Sequence, residues 1–148
     1  KSVYCQTRKI GNIKTETESC ASIILKAKKG LIANLNIDYL RPFYERGCHI
    51  IGEKGSLQWE YNLTKSAWST YTQKVNSKVT LQLLSKSSST VFNNIVRVND
   101  MYINEIRNFV ESIILNKKPL VDGFDGLNTL RLGVAALESA KKKKIISL

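Results

Sequence analysis

The hydrophobic period of this sequence changes once, near Asn99, and that change most limits what the chain can fold into. Before Asn99, short runs alternate between apolar and polar residues, as in strands that bury one face. After Asn99, apolar residues recur at helical spacing, with Tyr102, Ile106, Phe109 and Ile113 on one stripe. Strands followed by helices predict an α+β fold rather than alternating βαβ units.

Glycine turns place the predicted strands. The stretch Cys20–Tyr39 predicts a hairpin around Gly30, and GCHIIGEKGSLQWEYN predicts a second hairpin around Gly52-Glu53-Lys54-Gly55. The opening VYCQTRKI predicts a strand, and two weaker strands are predicted at Ser66–Thr72 and Lys78–Leu84, followed by a loop at Ser85–Thr90. We therefore expect a mainly antiparallel open sheet of about six strands.

Two long C-terminal helices are predicted near residues 100–117 and 124–143, packed on one face of the sheet. Asn99 or Asp100 can cap the first, and Pro119 follows its end. Asp122 and Asp125 in DGFDGL can cap the second. The sequence KIISL predicts a short closing strand.

Composition limits the class of protein. With 148 residues, 43% hydrophobic and 24% charged, the chain is expected to be a single globular domain over 1–148. No apolar run approaches the roughly 20 residues of a membrane span, and no signal segment opens the sequence, so we expect a soluble, cytoplasmic protein. The first residue is Lys1, which suggests an excised fragment. Cys5, Cys20 and Cys48 lack disulfide or zinc spacing and are expected to be reduced thiols.

The net charge of +11 leaves a second class of function open, a basic module that binds nucleic acid or another acidic partner without enzymatic activity. The basic residues are spread along the chain, which argues against it. Their one run, Lys141–Lys144, falls at a predicted helix end, where cations favour the helix dipole. We therefore expect neither a nucleic-acid nor a membrane partner.

The sequence lacks the groups that an enzyme acting alone would need. His49 is the only histidine, and between Cys48 and Ile50 it is expected to be a half-buried strand residue. GEKGS does not have the spacing of a phosphate-binding loop, and no GxGxxG occurs. We predict no catalytic residue, no metal ligand and no cofactor-binding residue in this chain.

The order of motifs nevertheless resembles one family. ASIILKAKKGLIANLNIDY, HIIGEKGSLQWEY, DMYINEIRNFVESI and PLVDGFDGLNTLRLGVAALESAKKKKIISL follow one another. Together they resemble the C-terminal domain of the glucose-fructose oxidoreductase and inositol dehydrogenase family, called Gfo/Idh/MocA. The resemblance runs from about Cys20 to Leu148, and its most specific part is Pro119–Leu148.

The resemblance implies a parent enzyme with two domains. A Rossmann domain, absent from this chain, would bind NAD or NADP and carry the catalytic lysine. This chain would help to bind a sugar, inositol or related polyol that exchanges hydride with the cofactor. Its sheet face opposite the helices would pack against a second subunit. The fragment alone is expected to be inactive.

Substrate contacts are predicted in the segment between the first hairpin and the second. Asp38, Tyr39, Arg41, Tyr44 and Arg46 gather there around Pro42, so that a loop would present cations and hydrogen-bonding groups to hydroxyls or a carboxylate. The aromatic residues Trp59, Tyr61 and Trp68 are alternative sugar-stacking candidates, although core positions are more usual for them. Asp122 and Asp125 are expected to cap a helix rather than contact a ligand.

Overall fold

The computed structural model describes residues 1–12, 14–41, 45–62, 74–97 and 99–148. Over these residues it contains eight strands, a short 3-10 turn at Lys28–Gly30 and two α-helices. The strands are β1 (Ser2–Arg8), β2 (Cys20–Lys26), β3 (Ile32–Asp38), β4 (Glu45–Gly52), β5 (Gly55–Asn62), β6 (Lys74–Leu83), β7 (Ser89–Arg97) and β8 (Ile146–Ser147). The helices are α1 (Asp100–Ile114) and α2 (Gly123–Lys142). The predicted α+β class is confirmed.

The chain divides into two compact units. The first comprises Lys1–Leu40 and Lys118–Leu148, and the second comprises Arg41–Lys117. Each contains one antiparallel four-stranded sheet, with strand orders β3-β2-β1-β8 and β4-β5-β6-β7. The predicted antiparallel pairing is confirmed, but the structure has two sheets of four strands in place of one sheet of about six, because the consecutive strands β3 and β4 do not pair with each other.

The first unit packs α2 against β1 and β8. Its buried core is Val3 and Cys5 from β1 with Ala135 and Ala136 from α2. The two alanines leave room for the helix to lie close to the sheet, so that Ile23 and Leu25 of β2 also reach the core. Their neighbours on β2, Ser22 and Ile24, are exposed, as expected for a sheet with one covered face.

Ser139 joins α2 to the edge of this sheet. Its hydroxyl accepts a hydrogen bond from the Cys5 backbone N–H (3.0 Å) and donates one to the Lys144 carbonyl oxygen (2.6 Å). The partner strand β8 pairs only with Ser2 and Val3, so the hydroxyl supplies the bond that a longer strand would have given to Cys5. Ser139 is completely buried.

The capping prediction for α2 is confirmed. The Asp122 carboxylate accepts the backbone N–H of Asp125 (2.9 Å), and the Asp125 carboxylate accepts that of Asp122 (3.2 Å), which is a reciprocal capping box. The Lys118 ammonium, 2.8 Å from Asp122, and the Asp125 amide lower the pKa of Asp122 to about 2. At the other end, Lys141 and Lys142 lie in the last turn, as the dipole favours.

In the second unit, successive side chains of β5 point to opposite faces of the sheet. Trp59 and Tyr61 share a sheet face with Val75 and Val96, and Tyr61 and Val75 form its buried core. On the opposite face, Glu60 and its cross-strand partner Lys78 make an exposed ion pair at 3.5 Å. We call the first of these the apolar face and the second the polar face. Fully burying a residue such as Val75 contributes about 1.5–3 kcal/mol.

The hairpin predicted around Gly52–Gly55 is confirmed, since β4 and β5 pair from Gly52↔Gly55 outward. Gly55 has φ +151°, a conformation that L side chains rarely adopt. A Cβ atom at Gly55 would also collide with the Gln82 carbonyl oxygen of β6. Glycine is therefore required here for two independent reasons.

Helix α1 starts where the helical spacing of apolar residues begins in the sequence. Asn99 occupies the N-cap position, but without a capping side-chain hydrogen bond; the Asp100 carboxylate instead accepts the Arg97 backbone N–H (2.9 Å). The helix ends at Ile114, slightly before the predicted end, and Asn116 follows with φ +48°. Its apolar stripe, which includes Tyr102, Ile106, Phe109 and Ile113, has more than half of each side chain exposed.

One predicted loop is wrong in part. The polar stretch Ser85–Thr90 contains a turn, but Ser89 and Thr90 already belong to β7, which continues through Asn93 and Asn94. Among the described strands, β7 is the last of its sheet and pairs with β6, so polar side chains can face water while its backbone completes the ladder. The predicted strand Ser66–Thr72 lies outside the described residues.

Candidate functional site

The predicted substrate segment begins at the end of β3, in the first unit. Asp38 is the last residue of that strand, and its carboxylate accepts the Leu40 backbone N–H (3.1 Å). The Tyr39 backbone N–H donates to the Ser19 carbonyl oxygen (3.0 Å). Tyr39 itself is 70% exposed. The backbone here is thus fixed while the Tyr39 ring faces solvent.

The segment continues into the second unit, where two arginines are held by neighbours. The Arg41 guanidinium lies 2.8 Å from the Glu45 carboxylate, and both side chains are about half exposed (51% and 50%). Arg46, in β4, approaches the Met101 sulfur of α1 at 3.9 Å. Pro42 and Tyr44 lie outside the described residues.

Glu45 is a member of this segment that the sequence reasoning missed. It stands four residues after Arg41, and its carboxylate accepts a hydrogen bond from that guanidinium. The structure thus pairs Arg41 with Glu45 and Arg46 with Met101. A single site containing all five predicted residues remains a prediction.

The aromatic candidates are accounted for differently. Tyr61 is buried, and Trp59 is half-buried with its indole N–H donating to the Ser77 hydroxyl (2.9 Å). The two rings are tilted at 47° with centroids 6.0 Å apart. These contacts place both rings in or against the core of the second unit rather than on an open sugar platform. Trp68 lies outside the described residues.

His49 is exposed, so the expectation of a half-buried histidine is wrong. It lies on the polar face of β4 opposite Gln58, because the alternation of β4 turns Cys48 and Ile50 the other way. The position belongs to an edge strand, where solvent reaches the side chain.

Of the three cysteines, Cys5 is buried and Cys48 is exposed, while Cys20 is intermediate. Burial raises the pKa of the Cys5 thiol, and the charge of Glu18 raises it further. The thiol therefore stays protonated, and its reactivity is low. All three are free thiols in the structure.

Phosphate binding at a helix N-terminus requires unoccupied N–H groups and no competing negative charge. In α2 the Asp122 and Asp125 carboxylates already take these positions, so this N-terminus does not suit a dinucleotide pyrophosphate. Across the described ranges, no three His, Cys, Asp or Glu side chains are grouped as metal ligands. Neither described helix has the length and apolar character of a membrane span.

Comparison with known proteins now identifies the family. The model of the Gfo/Idh/MocA oxidoreductase family, C-terminal alpha/beta domain, matches residues 1–148. No curated protein matches this chain.

Solved structures show the same fold. An aldose-aldose oxidoreductase from Caulobacter crescentus, complexed with glycerol, aligns with TM-score 0.73 at 18% identity over 99% of this chain and 41% of its own. An oxidoreductase from Agrobacterium radiobacter, in complex with NAD+, L-tartaric acid and magnesium, aligns with TM-score 0.75 at 17% identity over 99% and 42%. A Desulfitobacterium hafniense protein assigned as an NADPH-dependent oxidoreductase aligns with TM-score 0.69 at 17% identity over 98% and 41%.

This chain therefore spans less than half the length of these solved proteins. At identities of 17–18%, these structural likenesses show the fold alone. The family is shown by the family model, which covers every residue of the chain. The chain belongs to the Gfo/Idh/MocA oxidoreductase family, as its C-terminal domain.

Proposed function

We propose that this chain is the substrate-side domain of an NAD(P)-dependent oxidoreductase that acts on a sugar, inositol or related polyol. The observation that carries the proposal is the match of the family's C-terminal domain to residues 1–148. Two similar solved proteins support a nicotinamide cofactor, one by its bound NAD+ and one by its assigned NADPH dependence. The glycerol and L-tartaric acid bound to two of them are hydroxyl-bearing molecules, which supports a substrate of that kind.

The proposal divides the work between two domains. The nicotinamide supplies hydride chemistry in the preceding Rossmann domain, which the family implies for the parent protein. The contribution of this chain is orientation, because holding a hydroxylated substrate in a reactive position lowers the barrier without any group of this domain entering the reaction. The capped N-terminus of α2, closed by two carboxylates, supports a domain that leaves the cofactor phosphates to its partner.

Arg41 is the residue of this chain that we expect to contact the substrate most directly. Its ion pair with Glu45 is half exposed, and such pairs contribute little, so exchange of Glu45 for a substrate oxygen is inexpensive. A guanidinium offers several donors in fixed directions, which suits neighbouring hydroxyls or a carboxylate.

The Arg41→Ala variant of the full-length parent is expected to raise the KM for the polyol by about 10-fold or more, as loss of a charged hydrogen bond implies. The KM for NAD(P) should stay within about 2-fold. Steady-state kinetics with each substrate varied in turn make the measurement. Lys54→Ala, which removes a cation from the β4–β5 turn, is the matched control. Equal rises in both KM values, or none in either, would contradict the assignment.

We also propose that the domain self-associates through a sheet face. The apolar face of the second unit is only partly covered, since Ile50 of β4 and Phe92 of β7 remain 55% and 57% exposed. Tyr61 is buried in the same face and adds nothing to that exposed area. The Ile50 and Phe92 side chains lie on the outer strands of the same sheet face, and exposed apolar side chains that share a face indicate an interface.

Sedimentation velocity tests the association. Wild-type protein is expected to form a dimer or larger assembly, and Ile50→Ser is expected to shift it toward monomer. The control is Ile51→Ser. Ile51 follows Ile50 directly in sequence and is 78% exposed, but it lies on the polar face. A wild-type chain that is monomeric at high concentration, or equal effects of both variants, would refute the proposed face.

A further inference from the structure

Strand β3 forms one edge of the sheet in the first unit. It pairs with β2 along its whole length, and no described strand pairs with its other side. Natural edge strands usually carry charged side chains, a proline or a bulge, which prevent pairing with another chain. The residues Ile32–Ile37 (IANLNI) include no charged residue and no proline, and their register with β2 is uninterrupted. Within the described part of the chain, this edge is therefore open to a further strand.

Two hydrogen bonds at the ends of the β2–β3 ladder show which backbone groups face the open side. The Ala27 N–H donates to the Leu31 carbonyl oxygen (2.8 Å), and the Tyr39 N–H donates to the Ser19 carbonyl oxygen (3.0 Å). Hydrogen-bonded pairs in an antiparallel ladder recur at every second residue. The odd-numbered residues of β3 therefore bond to β2, and the N–H and C=O groups of its even-numbered residues point outward.

The side chains of β3 alternate in the same way. Ala33, Leu35 and Ile37 lie on the covered face of the sheet, because each pairs with a residue of β2 that packs against the core. Asn34 and Asn36 lie on the opposite face. Helix α2 packs on β1 and β8, at the other side of the sheet, and Leu35 and Ile37 remain 37% and 55% exposed. A strand added beyond β3 would cover this apolar surface.

The other edge strands are less suited to pairing. Strand β8 has two residues, and β4 carries the charged residues Glu45 and Arg46. Each face of β7 mixes polar and apolar side chains, as Phe92 and Asn94 do on the apolar face, so alternation does not fix one register there. Among the described edges, β3 alone combines sufficient length, an uncharged sequence and strict alternation.

We propose that β3 pairs with β3 of a second copy of this chain, antiparallel and about a two-fold axis at Leu35. In this register Leu35 lies opposite its own copy, Ala33 lies opposite Ile37, and Asn34 lies opposite Asn36. Apolar side chains therefore meet on one face, and amides meet on the other. Asn34 and Asn36 are also residues whose backbone groups point outward, so the side-chain register and the hydrogen-bonding register agree.

The symmetry of the strand is what selects a second copy as the partner. Two-fold pairing sets each residue from 33 to 37 against one of its own kind, without contact between like charges, and each outward-facing pair exchanges two backbone hydrogen bonds. The product is one continuous sheet with four strands from each copy. This interface uses the first unit only, so it is separate from the sheet face proposed above and does not depend on the oxidoreductase function.

Charges placed at Leu35 test the pairing, because Leu35 is the residue that would face itself. Leu35→Lys and Leu35→Glu are each expected to weaken this association by about 10-fold or more, since like charges then meet across the axis. Sedimentation velocity of the 148-residue chain should therefore show a smaller assembly for either variant than for the wild type. An equal mixture of the two variants should restore the wild-type assembly, because lysine then faces glutamate.

The matched controls are Leu84→Lys and Leu84→Glu, at a residue of the β6–β7 turn that is 80% exposed. They should leave the assembly unchanged. A monomeric wild type, charged variants that associate like the wild type, a mixture no larger than its components, or equal effects at Leu84 would each overturn the proposal.

Disulfide cross-linking is a second readout that needs no charge in the sheet. Leu35 and its copy would form a non-hydrogen-bonded pair with Cα atoms about 4.5 Å apart, within reach of a disulfide. In a Cys20→Ser/Cys48→Ser background with oxidised glutathione, Leu35→Cys should give a covalent dimer. Asn36→Cys should cross-link at least about 10-fold more slowly, because Asn36 would lie opposite Asn34 rather than its own copy. Circular dichroism checks the fold of each variant. If a charged variant does not fold, cross-linking decides alone, and equal rates at the two positions would refute the pairing.

Discussion

Replacing Gly55 by alanine is expected to lower the free energy of unfolding by at least about 3 kcal/mol. Two penalties combine at this position. The backbone φ of +151° is strained for any L side chain, and the added methyl group would strike the Gln82 carbonyl oxygen. That oxygen belongs to β6, whose ladder with β5 fixes it in place, so neither partner can move without breaking strand pairing.

Urea unfolding followed by circular dichroism measures the effect. Gly133→Ala is the matched control, because Gly133 lies within α2, has no positive φ and has open space where a Cβ would stand. The control should raise the free energy of unfolding by about 0.5–1 kcal/mol, since alanine favours a helix interior more than glycine does. Similar effects from the two substitutions would show that the β4–β5 turn is not built as described.

The second large effect is expected from Ser139→Ala. The substitution leaves the buried Cys5 N–H without an acceptor and removes the donor to the Lys144 carbonyl oxygen. A buried group deprived of its partner costs about 1–3 kcal/mol, so the combined loss is expected to be about 2–3 kcal/mol. The added apolar character of alanine does not restore either bond.

The control for this measurement is Ser22→Ala. Ser22 also donates a hydrogen bond, to the Asn36 side chain (2.9 Å), but it is exposed and water can replace that bond. Its effect should stay within about 0.5 kcal/mol. A loss below about 0.5 kcal/mol for Ser139→Ala in the same urea experiment would show that the hydroxyl is not the bridge between α2 and β1.

Local features of the fold were accessible from the sequence because each is encoded within a few residues. The Gly52–Gly55 turn defines a hairpin, the Asp122 and Asp125 pair defines a helix start, and the period after Asn99 defines α1. In each case the interacting groups are close in sequence. Turn chemistry, capping and periodicity therefore predict them directly.

Features that depend on distant partners were not accessible. The bond from Ser139 to Cys5 joins residues 134 positions apart, and no local pattern marks it. The fourth strand of the first sheet comes from β8 pairing with β1, which alternation within either strand does not reveal. Strand β7 was partly read as a loop because its polar residues face solvent at an edge, where backbone pairing alone holds the strand.

The candidate site was predicted less completely for the same reason. The cluster of cations and tyrosines around Pro42 could be recognised from composition, but the Glu45 carboxylate that occupies Arg41 was not anticipated. The neighbour of Arg46, Met101, is 55 residues away in the chain. Residue types along one segment thus indicate which groups are available, whereas their partners depend on the fold.

The central claim is that this chain is the domain that orients substrate and leaves the cofactor to another domain. Isothermal titration with NADH and NADPH, on the 148-residue chain and on its full-length parent, tests that claim most directly. The account predicts no measurable binding to the chain and one site per subunit in the parent. Micromolar binding of either nucleotide to the chain, with one site per molecule, would contradict it.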